Sequence, residues 1–366
     1  MVAVPIFRAG MVNLPLHYGK APPWLFNRMK NLAREITIAV VMEFGPQEML
    51  RRLSDPSWFQ SFGCLLGFDW HSSGLTTTVC GALKEGWRGM GKDLGIFIAG
   101  GKGKVSRQTP GEIDELVNRY ALNPDPAHLI YMSKMVAKVD NAALQDGYQL
   151  YHHCFIFTSS GDWCVIQQGM NETIRYARRY HWLSEKLKSL VCEPHTAICC
   201  DTEGRVLNLV AEESAEARRV IAILSGENPD KLVKSLHRIK LLEFPTRHHI
   251  EINDLHPEVL YKIFLKTYEN PPREFTELLS REGIGPKTLR ALALIADLIY
   301  GVPVSSRDPV TYSFAHGGKD GHPYPVDQSV YDQSIELFKQ AVSRAKLGQQ
   351  EKLEALKRLR RFGKHP

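Results

Sequence analysis

Between Glu274 and Ala296 the chain reads Glu-Phe-Thr-Glu-Leu-Leu-Ser-Arg-Glu-Gly-Ile-Gly-Pro-Lys-Thr-Leu-Arg-Ala-Leu-Ala-Leu-Ile-Ala, the stretch that most restricts its folding. Asn270, Pro271 and Pro272 signal a helix start, and Phe275, Leu278 and Leu279 supply one apolar face. That helix must stop by Gly283. Gly283 and Gly285 let the backbone take positive φ and approach a ligand without Cβ interference. Pro286 suits the first turn of a second helix, and Leu289, Leu292, Ala293 and Ala296 are expected to pack it back on the first. A helix N-terminus behind free amides attracts anions, and Lys287 adds a charge at the same place.

Gly-Ile-Gly-Pro-Lys-Thr (Gly283–Thr288) resembles the helix-hairpin-helix of DNA repair proteins, which bind the phosphate backbone without reading sequence. The resemblance implies DNA contacts by Gly283, Gly285, Lys287 and Thr288. It extends, over at most residues 271–345, to the helix-hairpin-helix DNA glycosylases and AP lyases of the endonuclease III type. In the bifunctional members of that superfamily a lysine at the position of Lys287 attacks the sugar as a Schiff-base nucleophile, and a downstream aspartate stabilises the cationic sugar. Asp308 stands near the usual spacing but precedes Pro309; Val326-Asp327 matches the Val-Asp pattern and would N-cap a helix over about 328–345. Asp327 is slightly favoured. In non-catalytic hairpins the same lysine only contacts phosphate, so both roles remain open. Many family members carry a four-cysteine cluster after the aspartate, whereas no cysteine here follows Cys200, so no iron–sulfur cluster is expected. The whole chain is similar to an uncharacterised family of archaeal and bacterial proteins, a resemblance that supplies no mechanism.

At 366 residues the chain is long enough for two or three domains. No apolar run reaches the length of a membrane span, and a cytoplasmic location with no membrane partner is expected. Seven cysteines without a Cys-x-x-Cys pair argue against a disulfide framework or a zinc ribbon, and they read as small buried hydrophobes. The net charge of +6 is concentrated at the C-terminus, where Lys346–Pro366 holds seven Lys or Arg against two Glu. Leu353, Leu356 and Leu359 make that tail an amphipathic helix suited to lie along DNA or to pack on its own domain.

Earlier in the chain, residues 23–35 and 46–54 read as helices and Gly63–Phe68 as a buried strand leading to Asp69-Trp-His-Ser-Ser. A strand over Leu94–Ala99 runs into Gly100-Gly-Lys-Gly-Lys-Val-Ser-Arg107, a glycine loop whose Lys102, Lys104 and Arg107 can approach phosphate. It lacks Walker A spacing. Between Val139 and Asn171, Asp140, Asp146 and His152 or His153 surround a hairpin of Cys154–Phe157 and Trp163–Ile166, and offer oxygen and imidazole ligands to Mg²⁺ or Mn²⁺. That metal would serve a nuclease; the lyase chemistry needs no cofactor. Glu172–Leu190, with Arg175, Arg178, Arg179 and Lys186, reads as a helix, followed by a strand pair in Thr196–Val210 and helices near 212–225, 228–240 and 256–268. His248 and His249 read as surface or linker residues.

The expected fold class is α+β: a mixed α/β domain over 1–170, a mainly helical domain with a small strand pair over 171–270, the hairpin region over 271–345 and a basic tail over 346–366. The expected partner is DNA. Three activities fit this pattern: a glycosylase or AP lyase acting at damaged sites, a metal-dependent DNA nuclease, and a DNA-binding protein without catalysis.

Overall fold

The computed structural model describes residues 21–68, 74–242 and 254–312. Asp327, the expected helix over 328–345, the basic tail, the Asp69–Ser73 stretch and His248–His249 lie outside the described residues.

Proline sets the start of one helix after another. α1 (Pro23–Phe44), α2 (Pro46–Ser54) and α3 (Pro56–Leu65) each open on a proline, and Gly45, at φ 86°, breaks α1 from α2. In α1, Met29, Leu32, Ala33, Ile36 and Val40 recur at helical spacing and are all buried. α3 is capped by Asp55, whose side chain accepts from the Trp58 amide at 2.7 Å. The expected strand over Gly63–Phe68 is instead the end of α3 and the turn beyond it. A short apolar run is ambiguous between buried strand and buried helix, and α3 is buried nearly all round, with Trp58, Phe59, Gln60, Phe62, Gly63, Cys64 and Leu65 all inside. α4 (Gly74–Gly86) and α5 (Gly91–Leu94) complete this helical layer.

β1 (Ile96–Lys102) enters the sheet at its edge, and a 3₁₀ turn (Gly103–Gln108) leads to α6 (Thr109–Tyr120) and α7 (Pro126–Lys138). A π-helical turn (Val139–Ala143) passes to β2 (Leu144–Gln145). Then come β3 (Gln149–Thr158), β4 (Trp163–Asn171), β5 (Tyr176–Leu183) and β6 (Ala197–Cys199). These form a five-stranded antiparallel sheet in the order β1-β3-β4-β5-β6, while β2 pairs with β7 (Leu207–Asn208). The fold is α+β, as expected. Tyr176–Leu183 is a strand and not part of a helix. It alternates Arg178, Tyr180 and Trp182 on one face with Arg179, His181 and Leu183 on the other, and all six are buried. Residue 170 lies within β4, and the sheet continues past it into β5, the paired neighbour of β4.

The sheet is the middle of three layers. Cys154, Ile156, Cys164, Ile166 and Leu183 pack with α1–α4 in one core, and Phe155, Phe157, Val165, Tyr180 and Trp182 pack in the other. That second core takes in α8 (Ala215–Ser225), α9 (Pro229–Lys240), α10 (Pro257–Glu269), α11 (Phe275–Ser280) and α12 (Pro286–Tyr300). α11 ends at Ser280, three residues before Gly283, because Arg281 is already extended at ψ 147°. Lys138 ties that end to α7 by donating to the carbonyls of Leu279 (2.7 Å) and Arg281. α12 begins at Pro286, as the sequence predicts, but packs chiefly on α8, α9 and the π-helical turn.

Candidate nucleic-acid interface

The turn from α11 to α12 occupies residues 281–285. Gly283 sits at φ 84°, a conformation that L side chains rarely adopt. Ile284 is buried between the two glycines and pins the turn to the core. Gly285 is the N-cap of α12 at φ −131°, a region open to any residue, and a Cβ there would meet nothing within 4 Å. It provides no capping side chain, so no cap side chain accepts from the first-turn amides of α12. Lys287 is half-exposed, with its Nζ 3.2 Å from the Asp254 carbonyl and 3.5 Å from its carboxylate. Thr288, expected to contact DNA, is buried and donates to the Gly283 carbonyl at 3.5 Å, closing the turn from inside.

Beside this turn lies a cleft of about 530 Å³. Pro286 and Arg290 of α12 form one wall, and Asn141, Gln145, Asp146 and Tyr148 form the other, with Arg205 at its rim. Gln145 knits the walls together: its amide donates to the Pro286 carbonyl at 2.9 Å and its oxygen accepts from Arg290 at 3.0 Å. Arg290 also pairs with Asp254 at 2.9 Å. The polar stretch after α7 and the glycine turn, some 140 residues apart in sequence, therefore share one cleft. A second cavity of about 230 Å³ lies near Trp87 and Phe97, where Lys84 and Arg119 are already paired with Glu112 and Glu115.

Under the cleft Arg178 holds two carboxylates. It donates to Asp146 at 3.0 Å and to Asp308 at 2.8 Å, and all three side chains are at most 4% exposed. Its guanidinium stacks over Tyr148 with 4.4 Å to the ring centroid. Burial works against the charge on Arg178, but Asp146 and Asp308 outweigh it and hold the guanidinium more firmly protonated than an ordinary arginine. Burial pushes the Asp146 carboxyl up, and Arg178 and Tyr180 pull it back.

Asp308, a candidate for the glycosylase aspartate, is thus committed to Arg178 and to the Gly204 amide at 2.9 Å. Its chain segment runs along β6 and β7 through bridges at Tyr312 and Ser305, which draws it under the cleft. The carboxylate paired with Lys287 is that of Asp254.

The expected metal ligands do not converge. Asp140 accepts from His195 (2.5 Å) on one oxygen and from Gln167 (2.5 Å) and Trp182 (2.9 Å) on the other. Gln167 in turn accepts from His153 (2.7 Å), and His153 from Ser133 (2.8 Å). This chain is buried and its members are hydrogen-bonded to one another, the arrangement of a polar core. His152 lies on the opposite face of the sheet from Asp140 and Asp146, because successive residues of β3 point to opposite faces. The structure places His152 with Cys80 and Cys154 instead. Burial depresses its pKa to about 3, so its ring is neutral.

Lys102, Lys104 and Arg107 are all exposed at the end of β1 and in the 3₁₀ turn after it. Gly100 makes the close approach here: at φ 91° it lies so near β3 that a Cβ would sit 2.2 Å from the His153 carbonyl. Lys102 pairs across the ladder with His152, so the basic turn lies at the same end of the sheet as the start of β3, where Asp146–Gln149 forms the cleft wall. Arg178, Arg205, Arg290 and Asp254 were missed in the sequence reading as site residues. Only Arg178 had a local signal, the alternation of Arg178, Tyr180 and Trp182.

A family model described as "Protein of unknown function (DUF763)" matches residues 10–326. No curated protein and no solved structure matches the chain.

Proposed function

The chain belongs to the DUF763 family, and we propose that it binds the DNA backbone through the α11–α12 turn and processes damaged or abnormal sites in the adjoining cleft. The turn acts as a helix-hairpin-helix, with a phosphate received by the first-turn amides of α12 and by Lys287. One observation carries this reading: the N-terminus of α12 has no capping side chain and is at the same time a wall of a cleft lined by Arg205 and Arg290. The cleft has the size of a small-ligand site and suits a nucleotide swung out of the duplex. Gly285 supports the reading, since the fold leaves room for a side chain there while a phosphate requires close approach.

The two roles of Lys287 are distinguished by chemistry. As nucleophile it forms a Schiff base at C1′ of an abasic sugar, expelling water, and strand scission follows by β-elimination of the 3′ phosphate. As a phosphate contact it forms no covalent bond. Its half-exposed position beside Asp254 suits the second role, so strand incision through Lys287 is the more demanding version of the proposal. A Mg²⁺- or Mn²⁺-dependent nuclease built on Asp140, Asp146 and His152 receives no support, since these residues do not meet.

The experiment is borohydride trapping, in chelator, on a duplex with one abasic site, run beside fluorescence anisotropy on the same duplex. A covalent adduct absent from Lys287→Ala supports the lyase. Salt-sensitive binding without adduct leaves a DNA-binding role, and absence of binding refutes the proposal.

A further inference from the structure

On the face of the sheet away from the cleft, α4 packs against β1 and brings Cys80 beside the neighbouring strand β3. His152 and Cys154 are alternate residues of β3 and so project from the same face toward α4. One ligand atom from each of Cys80, His152 and Cys154 lies within 4.8 Å of the other two. All three residues are at most 2% exposed. Neither ring nitrogen of His152 has a hydrogen-bond partner, although both are buried. Buried imidazoles are nearly always paired, so this one calls for a ligand.

We infer that Cys80, His152 and Cys154 bind a thiophilic divalent cation, with zinc the ion whose preferences they match. Two sulfurs and one imidazole nitrogen form a soft ligand set, suited to zinc and poorly suited to Mg²⁺ or Mn²⁺. Bond lengths of about 2.3 Å to sulfur and 2.0–2.1 Å to nitrogen require tetrahedral ligand atoms roughly 3.6–3.8 Å apart, so a modest closure of the side chains supplies three of the four positions and leaves the fourth to water. Charge also balances. Two thiols lose their protons on binding, and the two thiolates neutralise the dication in a buried setting where the ring of His152 is neutral. The metal joins α4 to β3, whose His152 pairs with Lys102 at the end of β1, the strand that leads into the basic turn. This inference is independent of the DNA-binding proposal.

The test is elemental analysis of the full chain, purified under reducing conditions. About one zinc per chain is expected, lost in His152→Ala and Cys154→Ser and kept in Cys192→Ser, which alters a cysteine outside the cluster. Should the first two variants fail to fold, the wild type stripped by chelator is titrated with Co²⁺, and a sulfur-to-cobalt charge-transfer band in the near-ultraviolet is expected. Zinc retained in both folded variants, or no charge-transfer band in the wild type, overturns the inference.

Discussion

Arg178 anchors three chain segments from a position that is 1% exposed: Asp146 and Tyr148 before β3, the Thr202 carbonyl at 3.2 Å, and Asp308 near the end of the described chain. Arg178→Ala strands two carboxylates in the core, and loss of one partner of a buried ion pair costs about 3–5 kcal/mol. Urea unfolding should show a loss of that order; a loss below about 1 kcal/mol would mean that water already relieves the triad. His181 tests a different term. Its Nε2 accepts from Arg179 at 2.8 Å and its Nδ1 donates to the Leu53 carbonyl at 3.2 Å, so the ring is fixed neutral. Burial, reinforced by Arg179, depresses its pKa well below 6.5, and His152 and His153 are depressed chiefly by burial as well. Below pH 6.5 the unfolded chain takes up protons that the folded chain refuses, so stability present at neutral pH is lost on acidification, for His181 by up to about 1.4 kcal/mol per pH unit. His181→Gln should flatten the fall between pH 6.5 and 5 by about that slope; parallel curves would rule this out. None of these partners was legible from sequence. Arg178 reads as one of four basic residues on an expected helix until Asp146 and Asp308, 32 and 130 residues away, are brought to it.

The α11–α12 element separates what the fold needs from what a ligand needs. Gly283 is needed by the backbone: alanine at φ 84° costs about 1–2 kcal/mol, with only ordinary contact to Ile263 at 3.8 Å. Gly285 has no such constraint. Gly285→Ser should raise stability by a few tenths of a kcal/mol, about the usual difference between serine and glycine as N-caps, because its hydroxyl satisfies an α12 amide. The same change should weaken DNA binding, since that amide and the space before it are what a phosphate would occupy. Urea midpoints and anisotropy on one duplex read the two effects separately, and unchanged binding would remove the turn from the interface. Elements with strong punctuation were legible: Pro23, Pro46 and Pro286 each open a helix. β5 was not, since its arginines sit on both faces of a buried strand and only tertiary partners explain them. The end of α3 was misread because its continuous apolar run carries no period.

Across the whole molecule, the antiparallel sheet sets two basic features at one end, the turn after β1 and the cleft beside α12. No helix among the described residues is long and apolar enough to cross a membrane. The proximity of the basic turn to the cleft was beyond the sequence, because it depends on Lys102 pairing with His152 and on Gln145 bonding to Pro286. It has a quantitative consequence if both features follow one duplex. Each phosphate neutralised contributes about −0.9 to the slope of log binding constant against log salt. Lys287→Ala should make that slope shallower by about one. Lys104→Ala combined with Arg107→Ala should make it shallower by roughly two, although these residues belong to a turn on a different strand. Isotherms at several salt concentrations measure both. A slope changed only by Lys287→Ala would confine DNA to the α11–α12 turn. A slope changed by neither substitution would detach binding from this end of the sheet altogether.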